Sequence, residues 1–274
     1  RLSTAVGSFF AKDTVQKISE KVRKNMAERV FAFTGKGGVG KTTVISNIGV
    51  ELSRLDKKVI MLDTDMGLRN LDLVMGIEDK VNYNLLDVLS NKCRIKQAIV
   101  RNKKYPNLHL IPAALHMDGL LQYEAGLKIL VEELKAHFDY CLIDGPAGID
   151  SGFFFSIAPA DSAIVVTTPH ISAIHDAGRC MEILDSKHFR SVSVVVNAYD
   201  ERMVRKHQMI SSDDIANILS ANIIGTIPLD KNIIVCQNRG VPICEMHTKS
   251  RHVFSILSRQ MLNNVSDRCE AEVI

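Results

Sequence analysis

The chain has 274 residues, of which 46% are hydrophobic and none is tryptophan, enough for one large α/β domain with a well-buried core. Its 34 basic and 31 acidic side chains give a net charge of +3, too even to indicate a nucleic-acid-binding protein. The longest apolar runs have the length of strands, so we expect no membrane-spanning segment. Six cysteines without a C-x-x-C pair favour reduced thiols in a cytosolic protein over a structural zinc or iron–sulfur site.

Short β-branched runs alternate with longer helical patterns, which predicts an α/β fold: a doubly wound, mostly parallel sheet with helices on both faces. The predicted strands are Val30–Thr34, Lys58–Leu62, Leu108–Pro112, Tyr140–Ile143, Ala163–Thr167, Val192–Val196 and Ile223–Ile227. The predicted helices are Lys41–Leu55, Gly119–Ala136, Ala173–Ser186, Ser212–Leu219 and Arg251–Leu262. We expect one domain over residues 30–264, with an N-terminal extension at 1–29 and a tail at 265–274. Ligands of such sheets bind beyond the carboxyl ends of the strands.

A glycine-rich loop follows the first predicted strand and matches the phosphate-binding pattern G-x-x-x-x-G-K-[ST]. It reads Gly35, Lys36, Gly37, Gly38, Val39, Gly40, Lys41, Thr42 and Thr43. Small residues let backbone N–H groups approach phosphates, and the next helix directs its positive end toward them. A flexible glycine turn would explain the glycines but not Lys41 followed by two hydroxyls. The loop therefore predicts a nucleoside triphosphate site.

Lys36 is a second lysine in this loop, and ordinary phosphate binding does not require it because Lys41 already neutralises the β and γ oxygens. Two lysines define the deviant Walker A form, and with them the chain resembles the MinD/ParA class of P-loop NTPases. In that class the early lysine reaches across a nucleotide-sandwich dimer to the partner's phosphates. The resemblance implies an ATP-dependent homodimer in which Lys36 acts in trans.

Two aspartates separated by one residue, Asp63 and Asp65, follow the second predicted strand. At a strand end the second carboxylate can swing over the nucleotide, where it can hold a magnesium-bound water or orient the attacking water. The alternative is a polar turn closed by the aspartate side chains. The resemblance implies that Asp65 is the switch I aspartate that positions water and that Asp63 assists it.

The fourth predicted strand ends in Asp144, which Gly145 and Pro146 follow. A buried apolar run that ends in aspartate is the Walker B pattern, in which the carboxylate accepts hydrogen bonds from metal-bound water. Glycine and proline let the following loop respond to the γ-phosphate. We assign Asp144 to Mg²⁺ and switch II, and we expect Thr42 to bind the metal and Thr43 to contact the α-phosphate.

Two later segments are candidates for the purine site. Asn197 ends a predicted strand with a side chain able to donate to and accept from an adenine edge, and Pro228 and Asp230 lie in a proline-fixed loop. Both are also common ways to end a strand. The MinD/ParA class places adenine between these segments, so the resemblance implies base contacts for Asn197, Pro228 and Asp230.

Within the class, the chain is similar to the MinD family over about residues 30–262. The segments that carry this resemblance are Gly67–Gly76, Cys93–Ala98, Asp144–Ile149, Val165–Pro169 and Asn238–Gly240. The resemblance implies a cytoplasmic ATPase whose ATP-bound dimer collects on the inner face of the cell membrane. There it would recruit a division inhibitor of the MinC type and leave after hydrolysis stimulated by a partner of the MinE type.

Three positions depart from the family pattern. His170 and His175 stand where an acidic residue and an arginine are usual, which puts partner contact there in doubt. Lone histidines near a helix start more often pack or cap than bind metal. Gly145 replaces the usual serine and removes a hydroxyl near switch II, leaving the assignment of Asp144 intact.

The sequences at the two ends of the chain bear on how it could bind a membrane. The family usually ends in a basic amphipathic helix, whereas in residues 263–274 acids outnumber bases and no wide apolar face forms. In the N-terminal extension, an apolar stripe lies opposite Lys17, Lys21 and Lys24 on a helical projection; the stripe consists of Ala11, Val15, Ile18, Val22 and Met26. We hypothesise that this segment replaces the missing anchor on anionic lipid. The alternatives are an ordinary surface helix or a targeting remnant.

Two other functions compete with a MinD-type ATPase. A flagellar-number regulator of the FlhG type also carries an extra N-terminal helix, which in that family activates a partner GTPase. A ParA-type DNA-partitioning ATPase should show a basic stripe and salt-dependent DNA affinity, and we expect no nucleic acid partner. The mechanism predicted for this chain is slow basal ATP hydrolysis with Mg²⁺, stimulated by a partner.

Overall fold

The computed structural model describes residues 28–115, 119–187 and 189–270, with side chains through residue 262. Within these ranges eight strands form one sheet: β1 (Val30–Thr34), β2 (Val59–Asp63), β3 (Val100–Arg101), β4 (Leu108–Ile111), β5 (Tyr140–Asp144), β6 (Ser162–Thr167), β7 (Val192–Tyr199) and β8 (Ile223–Pro228). The strand order is β3-β4-β2-β5-β1-β6-β7-β8. Neighbouring strands are parallel, except that β3 pairs antiparallel with β4. The predicted mostly parallel α/β sheet is confirmed.

The described helices are α1 (Lys41–Arg54), α2 (Leu71–Val74), α3 (Leu85–Leu89), α4 (Ile95–Ala98), α5 (Glu124–Lys135), α6 (Ser151–Ile157), α7 (Ile171–Ser186), α8 (Glu201–Arg205), α9 (Ser212–Leu219), α10 (Asn232–Gln237) and α11 (Lys249–Glu270). Short 3₁₀ turns occur at Glu78–Lys80, Leu120–Tyr123 and Ile243–Glu245. All five predicted helices are present. The helix predicted from Gly119 begins as a 3₁₀ turn and becomes α-helical at Glu124, and α11 extends beyond Leu262 into the predicted tail.

Side chains that alternate along the strands face two separate halves of the core. On one face, Phe31 and Phe33 of β1 pack with the apolar side of α1 and with Phe254 and Leu257 of α11. On the other face, residues of the same strands pack against α5, α6 and α7. Phe254 and Leu257 are fully buried, and burial of such a side chain contributes about 1.5–3 kcal/mol. The sheet is therefore covered on both sides, as the continuous apolar strands predict.

Strand order brings the predicted site segments to one edge of the sheet. Strand β1 lies between β5 and β6, and β2 lies on the other side of β5. In the β2–β5 register Asp63 is directly opposite Asp144. The glycine-rich loop, the aspartates after β2 and Asp144 thus meet at the carboxyl ends of three adjacent strands, where ligands of open α/β sheets bind. None of the described helices combines the length and apolar character needed to cross a membrane.

Candidate nucleotide-binding site

Three glycines of the phosphate loop have backbone conformations that favour glycine. Gly35, Gly38 and Gly40 all have positive φ angles, of 139°, 79° and 94°. A Cβ atom on Gly40 would lie 2.4 Å from Nδ2 of Asn197, so a larger residue would displace the Asn197 side chain. Glycine at this position lets the loop approach the sheet edge closely while α1 begins at the next residue.

Lys41 lies inside the loop rather than in solvent. Its side chain is buried, and Nζ donates hydrogen bonds to the carbonyl oxygens of Gly35 and Lys36, both at 3.2 Å. Burial lowers the pKa of Lys41, and the nearby charges of Asp144 and Asp65 oppose that shift. The ammonium group is thus held between the loop carbonyls and the two carboxylates, at the N-terminus of α1.

Asp144 is buried at the end of β5, and the Thr42 hydroxyl lies close enough to its carboxylate to stabilise the charged form. Oδ1 of Asp144 has no hydrogen-bond partner among the described residues. Burial raises the pKa of Asp144 to about 7, although Thr42 and Lys41 act in the opposite direction. A carboxylate oxygen without a partner, next to a threonine hydroxyl, is the kind of oxygen donor set that Mg²⁺ prefers. Thr42 and Asp144 therefore fit the predicted metal site.

The structure gives different positions to the two aspartates after β2. Asp63 is fully buried, and its carboxylate accepts hydrogen bonds from the backbone N–H groups of Asp65, at 3.0 Å, and Leu71, at 3.2 Å. Burial, followed by the charge of Asp144, raises the pKa of Asp63. Asp63 therefore fixes the backbone of the loop that carries Asp65.

Asp65 is half-buried and lies close enough to Lys41 for the ammonium charge to affect its carboxylate. Burial raises the pKa of Asp65, while Lys41 lowers it and Asp150 raises it further. Of the two aspartates predicted to act in catalysis, Asp65 is the one with an accessible carboxylate beside the loop. That Asp63 assists catalysis stays a prediction. Its observed contacts indicate that it would act through the backbone of the loop that carries Asp65.

Lys36 lies at the exposed rim of the loop. Its Nζ is 3.1 Å from Oδ2 of Asp176 on α7, and both side chains are more than a third exposed. His175, the neighbour of Asp176, is itself exposed, and its Nδ1 is 3.6 Å from Oδ1 of Asp176. His170 precedes α7 without capping it through its side chain. Sequence reasoning missed Asp176, because only the fold brings α7 beside the loop.

The predicted purine-site residues hold loops in place. Strand β7 does not end at Val196 as predicted; it continues to Tyr199 past Ala198, which has a φ of 55°. Within it, Nδ2 of Asn197 donates a 2.8 Å hydrogen bond to the carbonyl oxygen of Val39. Asn197 therefore ties β7 to the phosphate loop, and its contact with adenine stays a prediction.

Pro228 is half-buried at the end of β8, and Asp230 follows it. Oδ1 of Asp230 accepts a 2.9 Å hydrogen bond from the backbone N–H of Asn232, and Oδ2 accepts one of 2.9 Å from the Ser250 hydroxyl. These contacts join the starts of α10 and α11. Base contacts by Pro228 and Asp230 also stay predictions.

Gln237 is a site residue that sequence reasoning missed. Its Nε2 donates a 2.7 Å hydrogen bond to Oγ1 of Thr43, the hydroxyl predicted to contact the α-phosphate. This contact links α10 to the first turn of α1. The only signal in the sequence is the family-like segment Asn238–Gly240, which begins one residue later.

Fold and site together define a P-loop ATPase of the two-lysine type. Residues 28–191 match a family model described as an AAA domain. The septum site-determining protein MinD of Synechocystis is 46% identical over 214 residues, which cover 78% of this chain and 80% of that protein. This chain belongs to the MinD family.

Solved structures agree with this assignment. MinD in the MinC:MinD cell division protein complex of Aquifex aeolicus superposes with a TM-score of 0.80 at 38% identity, covering 86% of this chain and 96% of that one. MinD of Pyrococcus horikoshii, complexed with Mg-ADP, gives a TM-score of 0.78 at 26% identity, with 88% and 98% of the chains covered. A ParA family ATPase of Chlorobium tepidum shares the fold, with a TM-score of 0.69, at 21% identity.

Proposed function

We propose that this chain is a cytoplasmic switch that binds ATP and Mg²⁺, dimerises in the ATP-bound state and places the cell-division site from the membrane surface. Membership of the MinD family supports the biological role. The observation that carries the chemistry is the buried Asp144, whose unpartnered Oδ1 lies beside Thr42 and near Lys41. Mg-ADP in the Pyrococcus relative supports the same ligand class here.

We assign the residues of the site separate roles in phosphate binding and hydrolysis. Lys41 and the N–H groups at the start of α1 would bind the phosphates, and Thr42 and Asp144 would hold Mg²⁺, which would supply positive charge next to the phosphate oxygens. Asp65 accepts a hydrogen bond from the attacking water and so turns its lone pair toward the γ-phosphate. Asp63 holds Asp65 in place through the backbone. We expect basal turnover to be slow until a second cation is supplied to the transferred phosphoryl group.

Lys36 of a partner subunit would supply that cation. The Lys36 side chain extends from the exposed rim of the loop, and its ion pair with Asp176 is accessible to water. Breaking such an exposed ion pair costs little free energy. If the Lys36 side chain moves from Asp176 to the phosphates bound by a partner subunit, dimerisation is coupled to ATP turnover. An arginine that acts in trans raises phosphoryl-transfer rates by about 10³–10⁵ in other NTPases.

The first test combines molecular mass and turnover. We expect light scattering to give twice the protomer mass with ATP and Mg²⁺ and the protomer mass with ADP. Lys36→Ala should stay monomeric and lose stimulated hydrolysis, whereas the matched variant Lys187→Ala, at the far end of α7, should behave as wild type. Wild-type turnover and dimerisation in Lys36→Ala would refute the role in trans. Failure of calorimetry to detect ATP binding would refute the function as a whole.

The division inhibitor is the proposed partner. The Aquifex MinC:MinD complex supports an inhibitor of the MinC type, and the family resemblance supports a stimulating partner of the MinE type. We expect ATP-dependent sedimentation with anionic liposomes, with residues 1–29 as the hypothesised contact; this segment lies outside the described residues except for 28 and 29. Sedimentation that is unchanged after deletion of residues 1–29 would refute that contact.

Two alternative functions have their own tests. A ParA-type ATPase would shift DNA of any sequence in an ATP-dependent and salt-sensitive manner, and the 21% identity to the solved ParA relative supports the fold alone. An FlhG-type regulator would activate a partner GTPase through the N-terminal extension. An ATP-dependent gel shift, or GTPase activation without recruitment of an inhibitor, would replace the MinD-type role.

A further inference from the structure

The side of the sheet that ends at β3 carries a concentrated series of cations. Residues 91–104 include α4, β3 and the start of the turn between β3 and β4. They contain six lysines and arginines and no acidic residue. Because β3 is the terminal strand of the sheet, these cations lie around an edge that no described strand covers.

Two of the six cations have acidic partners, and four do not. Nζ of Lys92 lies 3.6 Å from Oδ1 of Asp87, and Nζ of Lys104 lies 2.6 Å from Oε2 of Glu245. The other four are exposed, and none of them forms an ion pair with a residue that the structure describes. We call these four residues the basic edge: Arg94, Lys96, Arg101 and Lys103.

The positive field of this edge extends to β2. In the β3–β4 register Arg101 is directly opposite His109, and Lys58 immediately precedes β2, the next strand of the sheet. Burial lowers the pKa of His109, and the charges of Arg101 and Lys58 act in the same direction. Asp139 accepts a hydrogen bond from the backbone N–H of Lys58, so an acid borders the cations on that side.

Protection of the sheet edge does not account for these cations. A lysine or arginine on a terminal strand prevents pairing with another sheet, and Arg101 on β3 is placed to do so. The other three members of the basic edge lie outside β3, on α4, at its start and in the turn after β3. They hold positive charge in water where strand pairing does not require it.

The surroundings of the basic edge fit lipid headgroups better than an apolar partner. None of the large hydrophobic side chains that the described residues expose lies within residues 91–107, and Ile95 and Ile99 pack on the core. A partner helix or groove would need apolar contacts, whereas an anionic leaflet needs only accessible positive charge. Nucleic acid also attracts cations, but the net charge of +3 over the whole chain does not favour it.

The size of the attraction connects it to dimerisation. One lysine or arginine close to an anionic leaflet raises the binding constant about fivefold. Four of them would raise it by roughly several hundredfold, which gives a single chain only weak attachment. Two joined chains multiply their factors if both edges reach one surface, so an ATP-bound dimer would bind far more tightly than a monomer.

We propose that the basic edge is a membrane contact that binds anionic lipid headgroups electrostatically, without insertion into the acyl chains. This inference rests on the proposed membrane role of the ATP-bound dimer and locates a contact for it within the folded domain. The contact adds to any contribution of residues 1–29.

Sedimentation of the whole chain with ATP and Mg²⁺ tests this contact, on vesicles of phosphatidylcholine with and without phosphatidylglycerol. The double variant Lys96→Gln, Lys103→Gln should bind the anionic vesicles about 30-fold more weakly per chain. Added salt should weaken wild-type binding in the same way. Lys96→Arg, Lys103→Arg keeps both charges and should bind as wild type does.

A matched control removes the same charge elsewhere. Lys249→Gln, Arg259→Gln alters two exposed cations of α11, which packs on α1 and β8, and should bind as wild type does. Wild-type vesicle binding by Lys96→Gln, Lys103→Gln would overturn the proposal, as would an equal loss in this control.

Two further measurements separate this proposal from its neighbours. A gel shift with DNA that depends on Lys96 and Lys103, without vesicle binding, would overturn it in favour of a nucleic acid. Calorimetry with ATP and light scattering test the proposed function independently, because the comparison of variant with wild type on anionic vesicles decides the role of the basic edge whether or not ATP is required.

Discussion

The interior and the rim of the phosphate loop each contain one of its two lysines, in opposite surroundings. Lys41 is buried, bonded to two backbone carbonyls and close to Asp144 and Asp65. Lys36 is 39% exposed and forms one ion pair with Asp176. The interior lysine belongs to a network that one chain completes by itself. The rim lysine has a contact that water weakens and that a partner's phosphates can replace at little cost.

The difference between these lysines shows how one loop can serve two purposes. A preorganised interior binds phosphate without rearrangement, whereas an exchangeable rim allows the chain to respond to a second copy. Substitutions in the interior should therefore change affinity and stability strongly. Substitutions at the rim should mainly change the equilibrium between subunits.

The largest effect is expected from Lys41→Met compared with Lys36→Met. Lys41→Met removes the buried cation, and we expect ATP affinity to fall roughly 100-fold, as for loss of charge-assisted hydrogen bonds. Lys36→Met should bind ATP within about threefold of wild type when the protein is monomeric, because its ammonium group is outside the interior network. Calorimetry at a low protein concentration measures both, and equal losses would contradict the division between interior and rim.

Asp144→Asn tests how much the buried carboxylate lowers the free energy of unfolding. In EDTA without nucleotide, the raised pKa of about 7 means that the folded protein keeps this proton at a pH where the unfolded chain has lost it. The free energy of unfolding of the wild type should therefore fall as pH rises through 7, by about 1 kcal/mol between pH 6 and pH 8. The asparagine variant should lack this component while losing hydrolysis.

Urea denaturation of both proteins at the two pH values measures the difference. Asp63 is present in both proteins, but the charge of Asp144 raises its pKa, so the difference between the two proteins measures the pair of carboxyl groups together. Parallel pH dependence in the two proteins would show that the interior tolerates the charge of Asp144 without cost.

Both lysines of the loop could be predicted from the sequence, whereas the contacts that the tertiary structure adds to the loop could not. β1, the glycine-rich loop and the start of α1 lie within a single run of residues, where apolar pattern, glycines and lysine all indicate the same structure. The inward position of Asp63 depends on its pairing with Asp144 across β2 and β5, 81 residues apart in sequence. Asp176 and Gln237 reach the loop only through the fold, so no local pattern identifies them.

The family-like segments illustrate the same limit. Gly76 and Gly240 lie in two separate segments that resemble the family, and the structure packs them backbone to backbone. A Cβ on Gly76 would lie 2.7 Å from the carbonyl oxygen of Gly240. The resemblance identified both segments, but only the tertiary structure gives the close approach that explains their glycines.

Gln237→Ala tests whether Gln237 only supports the phosphate loop or also contributes to ATP affinity. Removal of the 2.7 Å hydrogen bond to Thr43 should lower the free energy of unfolding by about 1 kcal/mol. ATP affinity should fall less than about fivefold, because the phosphate loop itself is untouched. Asn238→Ala, at the exposed neighbouring position, is the matched control. A loss of affinity as large as that of Lys41→Met would place Gln237 in the interior network.

The smallest effect on the isolated chain is expected from Asp176→Asn. The ion pair with Lys36 is exposed, so the thermal unfolding midpoint should not change measurably. If Lys36 has to leave Asp176 before it reaches a partner, the variant should dimerise with ATP at an about threefold lower protein concentration. Light scattering over a dilution series measures this shift, with Asp213→Asn as the control for a lost surface charge. A dimerisation curve identical to wild type would show that Asp176 does not compete for Lys36, and a weaker dimer would show that Asp176 acts in the interface itself.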